Sequence, residues 1–289
     1  MYKVAIVILT CNAGREFANL LAEIARQSLP IDYKLVIDST SADGTADVAG
    51  NHGWQVRIIP QAEFSHGGTR QMAVELLPDD IEIVVFLTQD VRLPDRYSLE
   101  KLVGAFADNQ DNDQEAHVAA AYGRQVPHEG ASIYDAVDRE FNYPAVSRIK
   151  SMADSRELGI KTAFLSDSFA AYRVQDLLKI GGFPKINICE DMYVAGRLLL
   201  AGKRIAYVAE ATARHSHEPK LKDMWCRYRE MGRFQKENPW IGESFGRASG
   251  EGRKLVRYQV GRIYKEKGIA GVLKLLAFDI VKFAAYKLG

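Results

Sequence analysis

The residues best suited to chemistry in this chain are acids and histidines that close or open apolar runs. Asp38 ends the run Tyr33 to Ile37, and Asp90 follows the run Ile81 to Leu87. Glu190-Asp191 comes after the turn Gly181-Gly182-Phe183-Pro184 and just before the helical run Met192 to Leu200. His215-Ser216-His217 follows the strand-like run Arg204 to Val208. Alternate residues of a strand share a face, so both imidazoles can point the same way. An aspartate oxygen and an imidazole nitrogen, completed by two phosphate oxygens, suit Mg2+ or Mn2+. The candidate metal ligands are therefore Asp90, His215 and His217, with one of the two histidines sufficient. Plainer readings exist for each. An acid after a strand caps the next turn, an acidic pair at a helix start serves as an N-terminal cap, and a histidine can be structural.

Gly67-Gly68 precedes a helix whose first turn carries Arg70. Glycines allow a ligand close to the backbone, and a helix N-terminus favours anions. Arg70 adds a charge-assisted contact to phosphate. The ligand expected is thus phosphate-bearing. No G-x-G-x-x-G follows the first strand and no G-x-x-x-x-G-K-[ST] occurs, which excludes the usual dinucleotide and P-loop motifs.

These residues need a scaffold, and the first half supplies it. Val4 to Leu9 is a continuous apolar run, as expected of a buried parallel strand. Strands at Tyr33 to Ile37, Gln55 to Ile59 and Ile81 to Leu87 alternate with helices over 15–26, after Ser41-Ala42-Asp43-Gly44-Thr45, over 67–77 and from Tyr97 to Phe106. This order predicts an α/β fold with a doubly wound, mostly parallel sheet. Right-handed crossovers then bring the carboxyl ends of the strands to one edge. Thr10-Cys11-Asn12, Asp38 and Asp90 would meet there, where such sheets bind ligands.

The chain has 289 residues, 47% of them hydrophobic and 26% charged, which fits a globular protein and excludes collagen-like and disordered classes. No uncharged apolar stretch reaches about 18 residues, so no transmembrane helix is expected. The N-terminal run reads as a first strand rather than a signal peptide. Cys11, Cys189 and Cys226 are too few and too scattered for a disulfide framework and fit a cytoplasmic protein. Residues 251–289 hold nine basic residues and three acids, hence +6, which leaves −5 on residues 1–250 of a chain whose net charge is +1. That tail is also dense in apolar residues. It favours an interfacial helix on a membrane surface over a nucleic-acid arm; the alternative is a helix packed on the body with a charged outer face. Trp225, Tyr228 and Phe234 at helical spacing suggest a docking face for these helices. Residues 1–220 are read as the catalytic domain and 221–289 as basic amphipathic helices.

Taken together the motifs resemble family 2 glycosyltransferases, which have the GT-A fold. Asp38 and Asp43-Gly44-Thr45 resemble that family's nucleotide-side signature, Thr88-Gln89-Asp90 stands at its Asp-x-Asp metal motif, and Glu190-Asp191 matches its Glu-Asp motif. The rhamnosyltransferase branch is the most similar, through His66-Gly67-Gly68-Thr69-Arg70, Thr88-Gln89-Asp90, Tyr122-Gly123-Arg124-Gln125, Phe141-Asn142-Tyr143-Pro144 and His215-Ser216-His217. Two departures matter. Thr88 replaces the first acid of the Asp-x-Asp, and the Gln-x-x-Arg-Trp motif of processive synthases is absent, with Arg227-Tyr228-Arg229 in that region.

The resemblance implies inverting transfer of one sugar, L-rhamnose from dTDP-β-L-rhamnose, to a glycan or lipid-linked glycan. Asp191, with Glu190 beside it, would be the catalytic base. Thr10, Asn12, Asp38, Gly67, Gly68, Arg70, Gln89 and Asp90 would bind the nucleotide sugar, and Arg124, Gln125 and Tyr143 would lie on the acceptor side. A metal on Asp90 would assist the leaving group. The competing readings are a sugar-1-phosphate nucleotidyltransferase and a nucleotide-sugar-binding scaffold on the same fold.

Overall fold

The computed structural model describes residues 2–107, 116–216, 220–246 and 249–289. They divide into two compact units: residues 1–125, 145–152 and 164–215, and residues 126–144, 153–163 and 216–289.

The first unit is built on strands β1 (Val4–Thr10), β2 (Tyr33–Asp38), β3 (Gln55–Ile58), β4 (Ile83–Thr88), β5 (Val118–Val126), β6 (Arg148–Lys150), β7 (Phe169–Arg173) and β8 (Arg204–Arg214). Among the described residues these form one sheet in the order β3-β2-β1-β4-β7-β5-β8-β6. Its helices are α1 (Phe17–Ala25), α2 (Thr45–Asn51), α3 (His66–Glu75) and α4 (Ser98–Gly104), and later α7 (Val174–Lys179) and α8 (Glu190–Leu200). β1 is apolar along its length because helices cover both faces of the sheet, and Val4 to Ile8 are all fully buried. Phe17, Leu20, Leu21 and Ile24 of α1 close on Ile6, Ile8 and Val36. Each such large side chain contributes about 1.5–3 kcal/mol when fully buried.

β1 pairs in parallel with β2 and β4, so Thr10 stands beside Asp38 and Leu9 beside Thr88. β7 runs antiparallel to β4 and β5, with Leu87 opposite Phe169 and Tyr122 opposite Ala170. The parallel order expected from alternating runs therefore stops at β4. An apolar run does not encode strand direction; a parallel pair needs a crossover packed on the sheet. Between β5 and β7 the intervening helices belong to the second unit. Because β7 is reversed, its amino end lies at the edge where β4 ends.

The second unit contains α5 (Ile133–Asn142), α6 (Ser155–Leu158), α9 (Leu221–Glu237), α10 (Pro239–Phe245) and α11 (Ser249–Leu288). Gly268 breaks α11 with φ 60° and ψ −158°, giving helical segments over 249–267 and 269–288. The second segment lies against α9 so closely that a Cβ on Gly232 would sit 2.0 Å from the Tyr286 carbonyl oxygen. Val137, Ile263 and Leu275 form this unit's core, with Tyr134 packed against it. Tyr134 meets Phe278 edge-on, and its hydroxyl donates to the Gly271 carbonyl at 3.2 Å. Phe141 packs on Tyr258. Tyr134 and Phe141 thus dock the C-terminal helix. Tyr143, expected on the acceptor side, is instead buried at the end of α5, where its N–H closes on the Arg139 carbonyl.

Candidate active site

The carboxyl edge of the sheet carries three groups of polar side chains, all in the first unit. The first joins the exits of β1 and β2. Asp38 accepts from Thr10 Oγ1 at 2.8 Å, Ser41 Oγ at 2.6 Å and the Ser41 N–H at 2.8 Å. Asn12 locks the opposite loop: its N–H donates to Ser41 Oγ at 2.7 Å and its Oδ1 accepts from the Ala42 N–H at 2.8 Å. Gln89 clamps the Cys11 backbone from the β4 side, accepting from its N–H at 2.8 Å and donating to its carbonyl at 3.2 Å. Asp38 is 1% exposed, so its first effect is to brace this corner. A carboxylate offers about four lone-pair sites, and one on Oδ1 remains.

The second group pairs His215 with Asp90. A bridge between Arg92 and Arg214, with both N–H···O distances 2.9 Å, ties the end of β8 to the segment leaving β4. It brings His215 Nε2 within 3.4 Å of Asp90 Oδ2. Gln125 fixes the ring: its Nε2 donates to Ser166 Oγ at 2.8 Å, which turns its Oε1 to His215 Nδ1 at 2.9 Å. With Nδ1 turned to Gln125, Nε2 is the ring atom that faces the carboxylate. An imidazole and a carboxylate set this way can share a cation. Their N and O chemistry fits Mg2+ or Mn2+, with an imidazole oriented from behind as metal-binding histidines usually are. Among the described residues no three His, Cys, Asp or Glu side chains gather into a metal cluster, so most of the coordination sphere would come from ligand or water. Asp90 keeps 39% of its side chain exposed, which leaves that face open. His217 lies outside the described residues. Gln125, expected on the acceptor side, is buried behind His215, while Arg124 is half-buried near the end of β5.

The third group surrounds Arg70. Its Nε lies 3.1 Å from Asp167 Oδ2 and its Nη1 2.6 Å from Glu190 Oε1. The guanidinium also lies over the Phe86 ring, 5.7 Å from its centroid. Burial works against this charge, yet Asp167, Glu190 and Asp191 hold the Arg70 pKa above its ordinary value. Tyr172 donates its hydroxyl to Asp167 Oδ1 at 2.5 Å. Burial pushes Asp167 up to about 6, against the pull of Arg70. Asp191, on the first turn of α8, is partly exposed, and its Oδ1 accepts the Met192 N–H at 2.7 Å. Burial first, then the charges of Glu190 and Asp167, raise its pKa well above the usual carboxylate range. Arg70 is thus enclosed by carboxylates rather than open at the surface.

The Asp90–His215 pair and the raised Asp191 carboxylate, both in the unit built on this sheet, suit group transfer from a phosphorylated donor. The profile described as "Glycosyl transferase family 2" matches residues 5–181. The chain belongs to glycosyl transferase family 2. This glycosyltransferase is 38% identical over 289 residues to the O-antigen chain rhamnosyltransferase RfbN of Salmonella typhimurium, covering 99% of this chain and 89% of that protein. It is 38% identical over 286 residues to the O-antigen chain rhamnosyltransferase WbaN of Salmonella anatum, covering 98% and 88%. Among solved structures, it resembles the mannosyltransferase PcManGT of Pyrobaculum calidifontis, determined with GDP-Man and Mn2+, at TM-score 0.64 and 16% identity over 99% of this chain and 86% of that one. S. aureus TarS residues 1–349, determined with UDP-GlcNAc, superposes at TM-score 0.59 and 17% identity over 99% and 89%. These last two likenesses establish the GT-A fold. Family membership sets aside the nucleotidyltransferase and scaffold readings.

The glycine pair of the transferase has a packing role. A Cβ on Gly67 would lie 1.9 Å from the Pro184 carbonyl oxygen and 3.2 Å from Glu190 Cβ. The Gly67 N–H donates to the Ile186 carbonyl at 2.9 Å. One on Gly68 would meet Ser65 Oγ at 2.5 Å, and Ser65 caps α3 by accepting the Gly68 N–H. Both glycines thus pack against Pro184 and Lys185 of the loop that delivers Glu190 and Asp191. That loop ends at Cys189 with φ 61°, one of three non-glycine residues with positive φ among the described residues; the others are Asn12 at 47° and Thr40 at 56°. All three flank the site, where such strain of about 1–3 kcal/mol per residue typically concentrates.

Sequence reasoning misses Asp167, Tyr172 and Ser166. Their only signal is an acid flanked by serines ahead of the apolar run Phe169 to Tyr172. In a parallel strand that position would lie at the opposite edge of the sheet.

Proposed function

We propose that the enzyme transfers L-rhamnose from dTDP-β-L-rhamnose, with inversion, to a hydroxyl of a glycan or lipid-linked glycan during cell-surface polysaccharide assembly at the cytoplasmic face of the membrane. The observation that carries this reading is the convergence of the Asp90–His215 pair and the elevated Asp191 carboxylate at one sheet edge. The end-to-end likeness to two O-antigen rhamnosyltransferases supports the choice of sugar.

Thr10, Asn12, Asp38 and Gln89 wall the base and ribose end of the donor. A divalent ion on Asp90 and His215 would supply Lewis-acid stabilisation of the departing diphosphate. Asp191 takes the proton of the acceptor hydroxyl as that oxygen attacks the anomeric carbon. The new C–O bond forms on the face opposite the breaking bond to the diphosphate oxygen. The products are an α-L-rhamnoside, dTDP and a proton on Asp191. A base with a raised pKa is matched to this step, because general-base efficiency is greatest when the pKa lies near the working pH. Arg70 acts as a positioning residue: it holds Glu190, and so the start of α8, against Asp167.

The test is nucleoside-diphosphate release from a panel of sugar nucleotides, with Mn2+, with Mg2+ and with a chelator. Release of dTDP from dTDP-rhamnose in preference to other donors, abolished by the chelator, is expected. Preference for another sugar nucleotide overturns the donor assignment, and full activity in chelator overturns the metal.

A further inference from the structure

The segment of α11 after Gly268 carries two apolar stripes, and only one is covered. Gly271, Leu275, Phe278, Lys282 and Ala285 recur at intervals of four and three and face the interior of the second unit. Leu275 and Ala285 are fully buried, and Lys282 reaches Asp138 at 3.8 Å and Asp279 at 3.4 Å. These contacts fix the rotation of the helix about its axis. On the other side Ile269, Leu273, Leu276, Ile280 and Phe283 recur at the same intervals and are 39–68% exposed. A helix apolar on both sides is ordinarily buried on both, and exposed apolar surface of this extent marks an interaction site.

The charges around the stripe select the occupant. The exposed charged positions of the segment are Lys274, whose Nζ lies over the Tyr134 and Phe278 rings on the covered side, and Lys287, whose Nζ lies over Phe283 of the outer stripe; no acid is exposed on it. Lys265 and Lys267 are exposed immediately before the kink. The exposed acid there, Glu266, faces Arg262 at 3.5 Å. A second copy of the helix laid on this stripe would set lysine against lysine, whereas paired helices place opposite charges beside such a seam. Anionic lipid headgroups match the cations, and acyl chains match the stripe. No helix among the described residues is long and apolar enough to cross a membrane, so contact would be in the interface plane.

We propose that the outer stripe Ile269–Leu273–Leu276–Ile280–Phe283, with Lys265, Lys267 and Lys287, seats the enzyme on an anionic phospholipid surface. This surface belongs to the second unit and is independent of the identity of the donor sugar. The experiment is flotation of the full chain with phosphatidylglycerol-containing vesicles and with pure phosphatidylcholine vesicles, at low and high salt. Binding to the anionic vesicles that weakens with salt is expected. Ile280→Glu with Phe283→Glu should lower it roughly tenfold or more, the scale set by losing buried apolar area from an interfacial helix. Lys265→Gln with Lys287→Gln should weaken it without touching the stripe. Thermal melting and dTDP release without vesicles should be unchanged in both double variants. Failure to bind anionic vesicles at low salt overturns the proposal. So does a dimer in size-exclusion light scattering that the stripe variants dissociate, because the stripe would then be a self-association seam.

Discussion

Arg70 Nη1 on α3 and Glu190 Oε1 on α8 lie 2.6 Å apart, 120 residues apart in sequence and both buried. Glu190 neighbours the proposed base, so this ion pair sets where Asp191 stands. Arg70→Ala would leave Asp167 and Glu190 buried without their cation. Removing one partner of a buried pair typically costs about 3–5 kcal/mol. Urea denaturation should show a loss of that size, and a loss below about 1 kcal/mol would mean that the pair is dispensable.

Asp191→Asn should retain binding of the nucleotide and lower turnover by about 100- to 10,000-fold, the range for loss of a general base. Calorimetric titration with dTDP and steady-state release of dTDP separate the two effects. Full activity in this variant would falsify the base assignment.

The pH profile follows from the direction of the Asp191 shift. Burial, Glu190 and Asp167 raise its pKa, and the base works only when deprotonated. Activity should therefore fall as pH drops through that raised pKa, at a pH above the ordinary aspartate value of about 3.9. Asp167→Asn removes one of the negative neighbours, so the acid limb of kcat/KM should move to lower pH. A limb that stays in place would assign Asp167 a structural role alone.

Gln125→Leu removes the acceptor that fixes the His215 ring, 2.9 Å from Nδ1. Losing such an outer partner usually weakens metal affinity by about 10- to 100-fold. Mn2+ titration in the presence of dTDP should show that loss. Asp90→Ala should abolish the metal-dependent part of nucleotide binding.

Gly67→Ala forces a methyl group against the Pro184 carbonyl. Overpacking of this kind costs about 1–3 kcal/mol, and here the loop that moves carries Cys189 to Asp191. The melting temperature should drop by several degrees and turnover should fall more than donor affinity. An alanine variant with wild-type melting and turnover would show that the loop shifts at no cost.

By itself the sequence determined the parallel half of the sheet, the edge at which Thr10, Asp38 and Asp90 meet, and the identity of the acidic and histidine motifs. Apolar runs between helical segments are local signals, and a βαβ crossover has one hand. Only the tertiary structure decided the rest. Reversal of β7 carries Asp167 to the edge, because strand direction is set by pairing and not by local pattern. Arg70 faces Glu190, and Gly67 faces the Pro184 carbonyl, because both are met by a loop more than 110 residues downstream. Gln125 stands behind His215, and the inner stripe of α11 is buried while its outer twin is not. An apolar or polar residue advertises that it needs a partner; which partner it receives depends on the distant chain that folds against it.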